Sequence, residues 1–242
     1  MYPMPIGFYC NCRAIPNLRI LIQKQLIFAS MITERRQRII QRTVLLITVG
    51  FILLSLAVKF LPLSILDREF SEEIQEHQNP LLDFAMKFIS WFGFFPGSVI
   101  IVIAASTAFF IFKYKKEALF VLLTSVSGLV STLIKTIVNR PRPTDKLVRI
   151  VQKVNQDSFP SGHVLFYVVF FGFLALLMYQ LKSIPKFIRI TVSVISLLLI
   201  FSIPISRVYL GAHWFTDVVG GFLMGIISLY ALSYFYEKYT SA

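Results

Sequence analysis

The chain has 242 residues, of which 56% are hydrophobic and only 15% charged, and its formal net charge is +12. Soluble domains carry about 25% charged residues, and a soluble core of this size cannot hide so much Phe, Leu, Ile and Val, so the mean hydropathy of +0.73 excludes an ordinary soluble fold. One membrane domain is expected, and the scatter of basic residues between apolar segments argues against a nucleic-acid partner.

Residues 1–42 are mixed basic and apolar. The apolar stretch 18–31 is interrupted by Arg19 and Lys24, so it reads as a surface-lying amphipathic segment, neither a signal peptide nor a span. Met31 is an alternative start. The two cysteines, Cys10 and Cys12, are too close for an unstrained mutual disulfide and read as free cytoplasmic thiols.

Six spans follow, each near the ~20 residues that a bilayer requires. They fall at about 43–65, 96–112, 118–138, 164–181, 188–205 and 213–236. Residues 66–83 read as a loop, and 81–95, with Trp91 and several Phe, as a short interfacial helix. The fold class is therefore all-α: a bundle of six transmembrane helices with an interfacial helix before the second. The domain division is 1–42, a basic cytoplasmic segment, and 43–242, the membrane domain.

Charge sets the orientation. Arg35, Arg36, Arg38 and Arg42 precede the first span; Lys113, Lys115 and Lys116 separate the second and third; Lys182, Lys186 and Arg189 separate the fourth and fifth. These groups share one side, which the positive-inside rule makes the cytoplasm, together with both termini. The acidic loop with Asp67, Glu69, Glu72, Glu73, Glu76 and Asp83 falls outside. So does 139–162, which breaks the bias with Arg140, Arg142, Lys146, Arg149 and Lys153. Positive charge on the outer side calls for another cause, and anion binding supplies one.

Three clusters gather at that outer edge. Lys135 lies near the end of the third span and Arg142 follows between Pro141 and Pro143, which end the helix and stiffen its exit. A guanidinium and an ammonium together suit a phosphoryl group, although Lys135 snorkelling and Arg142 on lipid headgroups would explain the same pair. Pro160-Ser161-Gly162-His163 opens the fourth span, where unpaired helix N–H groups favour an anion and Gly162 permits close backbone approach. Ser161 serves there either as N-cap or as a phosphate donor. Arg207 precedes a turn at Gly211, and His213 and Asp217 stand four apart, on one face if the last span begins at His213. Asp217 would then accept the Nδ1 proton of His213 and free Nε2 for attack. Gly221 and Gly225 continue that face as packing residues. His77, Asp145 and Asp157 read as loop residues without a role.

Taken together, Lys135-x6-Arg142-Pro143, Pro160-Ser161-Gly162-His163 and Ser206-Arg207-x5-His213-x3-Asp217 resemble the type-2 phosphatidic acid phosphatase family, within the superfamily shared with vanadium haloperoxidases. The resemblance covers about 85–236. It implies His213 as the nucleophile of a phosphohistidine, Asp217 as its orienting partner, and His163 as general acid and then base. Lys135, Arg142 and Arg207 become the phosphate clamp, with Ser161 and Gly162 adding hydrogen bonds. The expected activity is hydrolysis of a lipid phosphate or diphosphate: phosphatidic acid, phosphatidylglycerophosphate or undecaprenyl diphosphate. It would run at the outer face of a membrane, that of a bacterial cell by expectation. No cofactor is expected, because three fixed cations can stabilise the phosphoryl oxygens without a metal ion. The alternatives are a lipid phosphotransferase using the same phosphohistidine, a haloperoxidase, and a non-enzymatic transporter or scaffold. The oligomeric state is not legible.

Overall fold

The computed structural model describes residues 16–61, 64–154 and 156–241, with side chains described from residue 34 to residue 240 apart from those gaps. Cys10 and Cys12 lie outside the described residues. The chain divides into two compact units, Met1–Thr43 and Val44–Ala242. The described residues of the first are helical, the start of α1 (Pro16–Phe60). The second carries α2 (Ile65–Ile74), α3 (Pro80–Trp91), α4 (Gly97–Ile111), α5 (Lys115–Leu123), α6 (Val126–Val138), α7 (Gly162–Gln180), α8 (Lys186–Tyr209) and α9 (Phe215–Ser241). No strand occurs among the described residues.

Among the described residues, five segments are long and apolar enough to cross a membrane: Glu34–Phe60, Lys115–Val138, Gly162–Gln180, Lys186–Tyr209 and Phe215–Thr240. The second of these is the pair α5 and α6, interrupted at Thr124 and Ser125. The expected span at 96–112 is α4, an apolar helix of only 15 residues.

The centre of the bundle is α7. It is apolar all round, and 61% of its apolar window is buried against 17% for α8, the difference between a helix enclosed by neighbours and one that shows a face to lipid. Tyr167, Phe170, Phe173 and Leu177 of α7 are wholly buried. The close approach of α9 depends on two small residues. A Cβ on Gly221 would stand 2.5 Å from the Ser161 carbonyl oxygen, and one on Gly225 would stand 2.7 Å from Val168 Cβ. The outward faces stay apolar: Leu46, Leu53, Phe110, Leu129, Leu133, Leu198 and Phe201 are all more than 50% exposed, far more than a soluble surface carries.

Two expectations need correction. Residues 66–83 are not one loop, because α2 forms within them. Ser64 and Asp67 make a capping box, in which Ser64 Oγ accepts the Asp67 N–H at 3.1 Å and Asp67 Oδ2 accepts the Ser64 N–H at 3.4 Å. The last helix begins at Phe215, so His213 sits in the turn before it and shares no helical face with Asp217. That turn follows α8 through Gly211, at φ +67, where a Cβ would meet the Arg149 carbonyl oxygen at 2.2 Å.

Segment 139–161 crosses the same end of the bundle. Asn139 closes α6 in a left-handed conformation and hands the chain to Pro141 and Pro143. Gln75 at the end of α2 clasps this segment: its amide donates to the carbonyl oxygens of Arg149 and Tyr209, both at 2.9 Å, and its oxygen accepts the Arg149 N–H at 3.0 Å. Arg149 also grips the Asp83 carboxylate with both terminal nitrogens, at 3.0 and 2.6 Å.

Candidate active site

His163, His213, Lys135, Arg142, Arg207 and Gly162 line one cavity of about 630 Å³. They arrive from different elements: Lys135 from α6, Arg142 from the following segment, Gly162 and His163 from the start of α7, Arg207 from the end of α8, and His213 from the next turn. Of the expected site residues, Ser161 and Asp217 lie just behind this wall, both fully buried.

The turn that carries His213 is fixed from behind. Asp217 Oδ2 accepts the Trp214 N–H at 2.8 Å, reaching back as the third residue of a capped helix does. The same oxygen accepts from Ser158 Oγ. It lies 3.6 Å from His213 Nδ1, beyond ordinary hydrogen-bond length, while Ser158 Oγ lies 3.5 Å from Nδ1. Nε2 faces the other way, 3.3 Å from an Arg142 terminal nitrogen. Burial first, then the positive charges of Arg142, Lys135 and Arg207, hold the His213 imidazole well below its ordinary value. At neutral pH the ring is therefore neutral, with one nitrogen toward a carboxylate and the other toward the cavity.

The cations are braced by backbone. Lys135 Nζ donates to the Asp157 carbonyl oxygen, and Arg142 donates to the carbonyl oxygens of Gln156, Ala212 and Asp157. Burial pulls the Arg142 guanidinium down to about 10, so it stays charged at neutral pH. Arg207 donates to Ser90 Oγ at 2.9 Å and Gln152 Oε1 at 3.1 Å and lies over the Phe94 ring. Its Nε and Nη2 have no hydrogen-bond partner among the described residues, and the same holds for Ser131 Oγ, Ser161 Oγ and His163 Nε2. Buried donors are seldom left unpaired. Several of them around one positively charged cavity suit a polyoxygenated anion. Ser161 occupies the N-cap position of α7 but makes no side-chain cap bond, which leaves its hydroxyl for other use.

Residues 116–241 match the PAP2 superfamily. The chain belongs to that superfamily. It is similar to phosphatidylglycerophosphatase B of Bacillus subtilis (strain 168), 34% identical over 143 residues that cover 57% of this chain and 67% of the relative. Two crystal structures are similar as well. One is a transmembrane PAP2-type phosphatidylglycerolphosphate phosphatase from Bacillus subtilis, with TM-score 0.67, 25% identity, and coverage of 81% of this chain and 96% of that one. The other is Aquifex aeolicus LpxE, with TM-score 0.53, 25% identity, and coverage of 69% and 93%. As a member of the PAP2 superfamily with five apolar helices of spanning length, this is an integral membrane protein and a hydrolase of the lipid-phosphatase class.

Within this PAP2 site several residues were not singled out by sequence. Ser158 stands between His213 and Asp217. Gly93, in the turn before α4, lies against the His163 ring, and Gln152 and Ser90 hold Arg207. The largest omission is Arg140. Anion binding is the sequence expectation for the five basic residues of segment 139–162, yet only Arg142 of them lines the main cavity. Arg149 is paired with Asp83, and Arg140 is fully buried between Asp67 at 2.6 Å and Asp217 at 2.5 Å. Ion pairing among neighbouring segments, not a free anion, accounts for those two. Among the described residues no group of three His, Cys, Asp or Glu is placed to hold a metal ion.

Proposed function

We propose that this PAP2 protein removes the phosphoryl group of a lipid phosphate or diphosphate through a phosphohistidine on His213, without a metal ion, at the outer face of the membrane. The observation that carries this reading is that the imidazoles of His163 and His213 and three cations from separate segments line one cavity. Phosphatidylglycerophosphate is the first substrate to test, supported by the phosphatidylglycerophosphatase relative; phosphatidic acid and undecaprenyl diphosphate present the same phosphoryl group.

Lys135, Arg142 and Arg207, with the Ser161 hydroxyl and the backbone at Gly162, hold the phosphoryl oxygens. His213 Nε2 attacks phosphorus, the bond to the lipid oxygen breaks, and His163 donates the proton that this oxygen needs. The phosphorylated imidazole keeps its Nδ1 proton, stabilised by Asp217. Water then attacks phosphorus, His163 takes its proton, and the P–N bond breaks to release inorganic phosphate. Charge development falls on the phosphoryl oxygens, where three fixed cations supply the stabilisation often given by a metal ion.

In the membrane, α4 would be the sixth crossing, its 15 residues extended by the turn before it, and α3 would lie at the interface with Trp91 and its Phe residues at headgroup depth. Residues 1–42 and the C-terminus would face the cytoplasm, and 43–242 would be the phosphatase domain, in a bacterial plasma membrane.

The test is phosphate release in detergent from a panel of phospholipid and isoprenyl phosphates, with His213→Ala as control, joined to rapid quenching with labelled substrate. Label bound to protein, stable to alkali and labile to acid, is expected in the wild type and absent in the variant. Full activity in His213→Ala would sink the covalent route. Activity lost to chelator and restored by Mg²⁺ would sink the metal-free one.

A further inference from the structure

Behind His213, Asp217 belongs to a group of buried charges whose other members, Arg140 and Asp67, have no role in the three sequence clusters. Arg140 donates to Asp217 Oδ1 at 2.5 Å, to Thr216 Oγ1 at 2.6 Å and to Asp67 Oδ2 at 2.6 Å. Asp67 Oδ1 in turn accepts the backbone N–H and the hydroxyl of Thr216, each at 2.9 Å. The side chains of Asp67, Arg140 and Asp217 are all 0% exposed. Resting on the phosphohistidine reading, we infer that Asp67 and Arg140 are positioning residues for phosphoryl transfer: together they fix the plane of the Asp217 carboxylate and leave it a net negative charge toward His213.

Asp217 must present one oxygen to the histidine and lock the other. Its Oδ2 meets Ser158, Trp214 and the His213 ring, while Oδ1 is held by Arg140. A guanidinium is suited to this because its rigid planar fork can give one terminal nitrogen to each of two carboxylates, here Asp217 and Asp67. Arg140 alone, however, would cancel the charge that Asp217 offers the imidazole. With Asp67 on the opposite side of the fork the three groups sum to −1, so a negative charge remains beside His213 as phosphorylation makes its ring cationic. The helix that delivers Asp67 is itself secured at both ends, by the Ser64 capping box and by Gln75 on the Arg149 and Tyr209 carbonyls. A buried ion pair is weak evidence for stability, since apolar replacements often do as well. Its contact with the orienting carboxylate argues for a part in the reaction.

The test is a double-mutant cycle on the purified full chain in detergent, reading kcat and KM for phosphatidylglycerophosphate. The variants are Asp67→Asn, Asp217→Asn, both together, and His213→Ala alongside. Asp67→Asn should lower kcat by about tenfold to a hundredfold, the scale of a slightly misplaced catalytic group, with KM little changed. The double variant should be no slower than Asp217→Asn, because residues acting as a unit are not additive. Losses that multiply, a change carried by KM, or an unaltered Asp67→Asn would overturn the proposal. A fully active His213→Ala would sink the phosphohistidine reading instead, and is read separately. Should Asp67→Asn not fold, Thr216→Val removes the hydroxyl between Arg140 and Asp67 without a change of charge. It should cost kcat less, again only where Asp217 is intact; a loss that persists in Asp217→Asn overturns the proposal equally.

Discussion

Replacing Gly93 by Ala should displace His163, the proposed general acid, while leaving the proposed phosphate clamp in place. A Cβ at this position would stand 2.4 Å from His163 Cδ2, 2.9 Å from its Cγ and 3.1 Å from Tyr167 Cε2. Ordinary contact begins near 3.4 Å, so the imidazole must retreat by the difference, 3.4 − 2.4 = 1.0 Å. Tyr167 cannot yield in its place, because its hydroxyl is tied to the Ile89 carbonyl oxygen, and the imidazole also meets the Phe94 ring at a centroid distance of 4.3 Å. A displacement of about 1 Å at a reacting group can cost on the order of a hundredfold in rate, or about 2.7 kcal/mol of barrier. Overpacking should also cost about 1–3 kcal/mol of stability.

Two substrates separate a displaced acid from general damage. A lipid alkoxide leaves poorly without a proton, whereas p-nitrophenolate leaves unaided. Gly93→Ala should therefore lose about a hundredfold in kcat/KM, which ends with departure of the alcohol, on phosphatidylglycerophosphate and much less on p-nitrophenyl phosphate. A wild-type rate on the lipid would refute the geometric argument, and equal losses on both substrates would remove His163 from the role of acid.

The depressed pKa of His213 sets the acid limb of kcat/KM, which reports the free enzyme. Protonation removes the attacking lone pair, and burial with three cations delays it, so activity should persist as pH falls through the ordinary histidine value of 6.5 and decline only below it; an acid limb at or above that value would contradict the site's electrostatics. Gly225→Ala forces α7 and α9 apart at Val168, 2.7 Å from the new Cβ, and should lower thermal stability by about 1–3 kcal/mol with kcat unchanged in the folded fraction, as melting and activity measured on the same preparation would check. Vanadate, which adopts five-coordinate geometry, should compete with substrate, and Arg207→Lys, which keeps the charge but loses the fork, should weaken that inhibition more than it weakens substrate binding. Equal effects would argue against Arg207 holding the transition state.

The membrane class was legible because it is a property of composition, and the gathering of His163, His213, Lys135, Arg142 and Arg207 at one cavity was legible because such residues are scarce. A chain with three histidines has few ways to place two of them beside arginines at helix ends. The helix boundaries were less secure. The spacing of His213 and Asp217 invited a helical i, i+4 pairing, yet the helix starts at Phe215 and the two meet because Asp217 reaches back over the turn to the Trp214 N–H. Their proximity was expected correctly, for the wrong local reason. Six acids between residues 67 and 83 suggest a loop, yet four of them lie in α2, and Ser64-x-x-Asp67 is a capping-box signature that marks its start.

What stayed hidden were the partners chosen in three dimensions. Arg140 and Arg142 are two residues apart, both flanked by proline, and composition treats them alike. Arg142 lines the cavity and Arg140 is buried on the inner side of it, a separation that a regularly extended chain would not give, since residues two apart then share a face. On the inner side Asp67 waits, 73 residues earlier in the chain. A fully buried arginine demands compensation, and Asp67, brought there by a helix that the sequence reading had not expected, helps to supply it. Basic charge in the segment 139–162 therefore has two settings in this protein, the cavity for Arg142 and built-in carboxylates for Arg140. Only the packing of α2 against α8 and α9 distinguishes them.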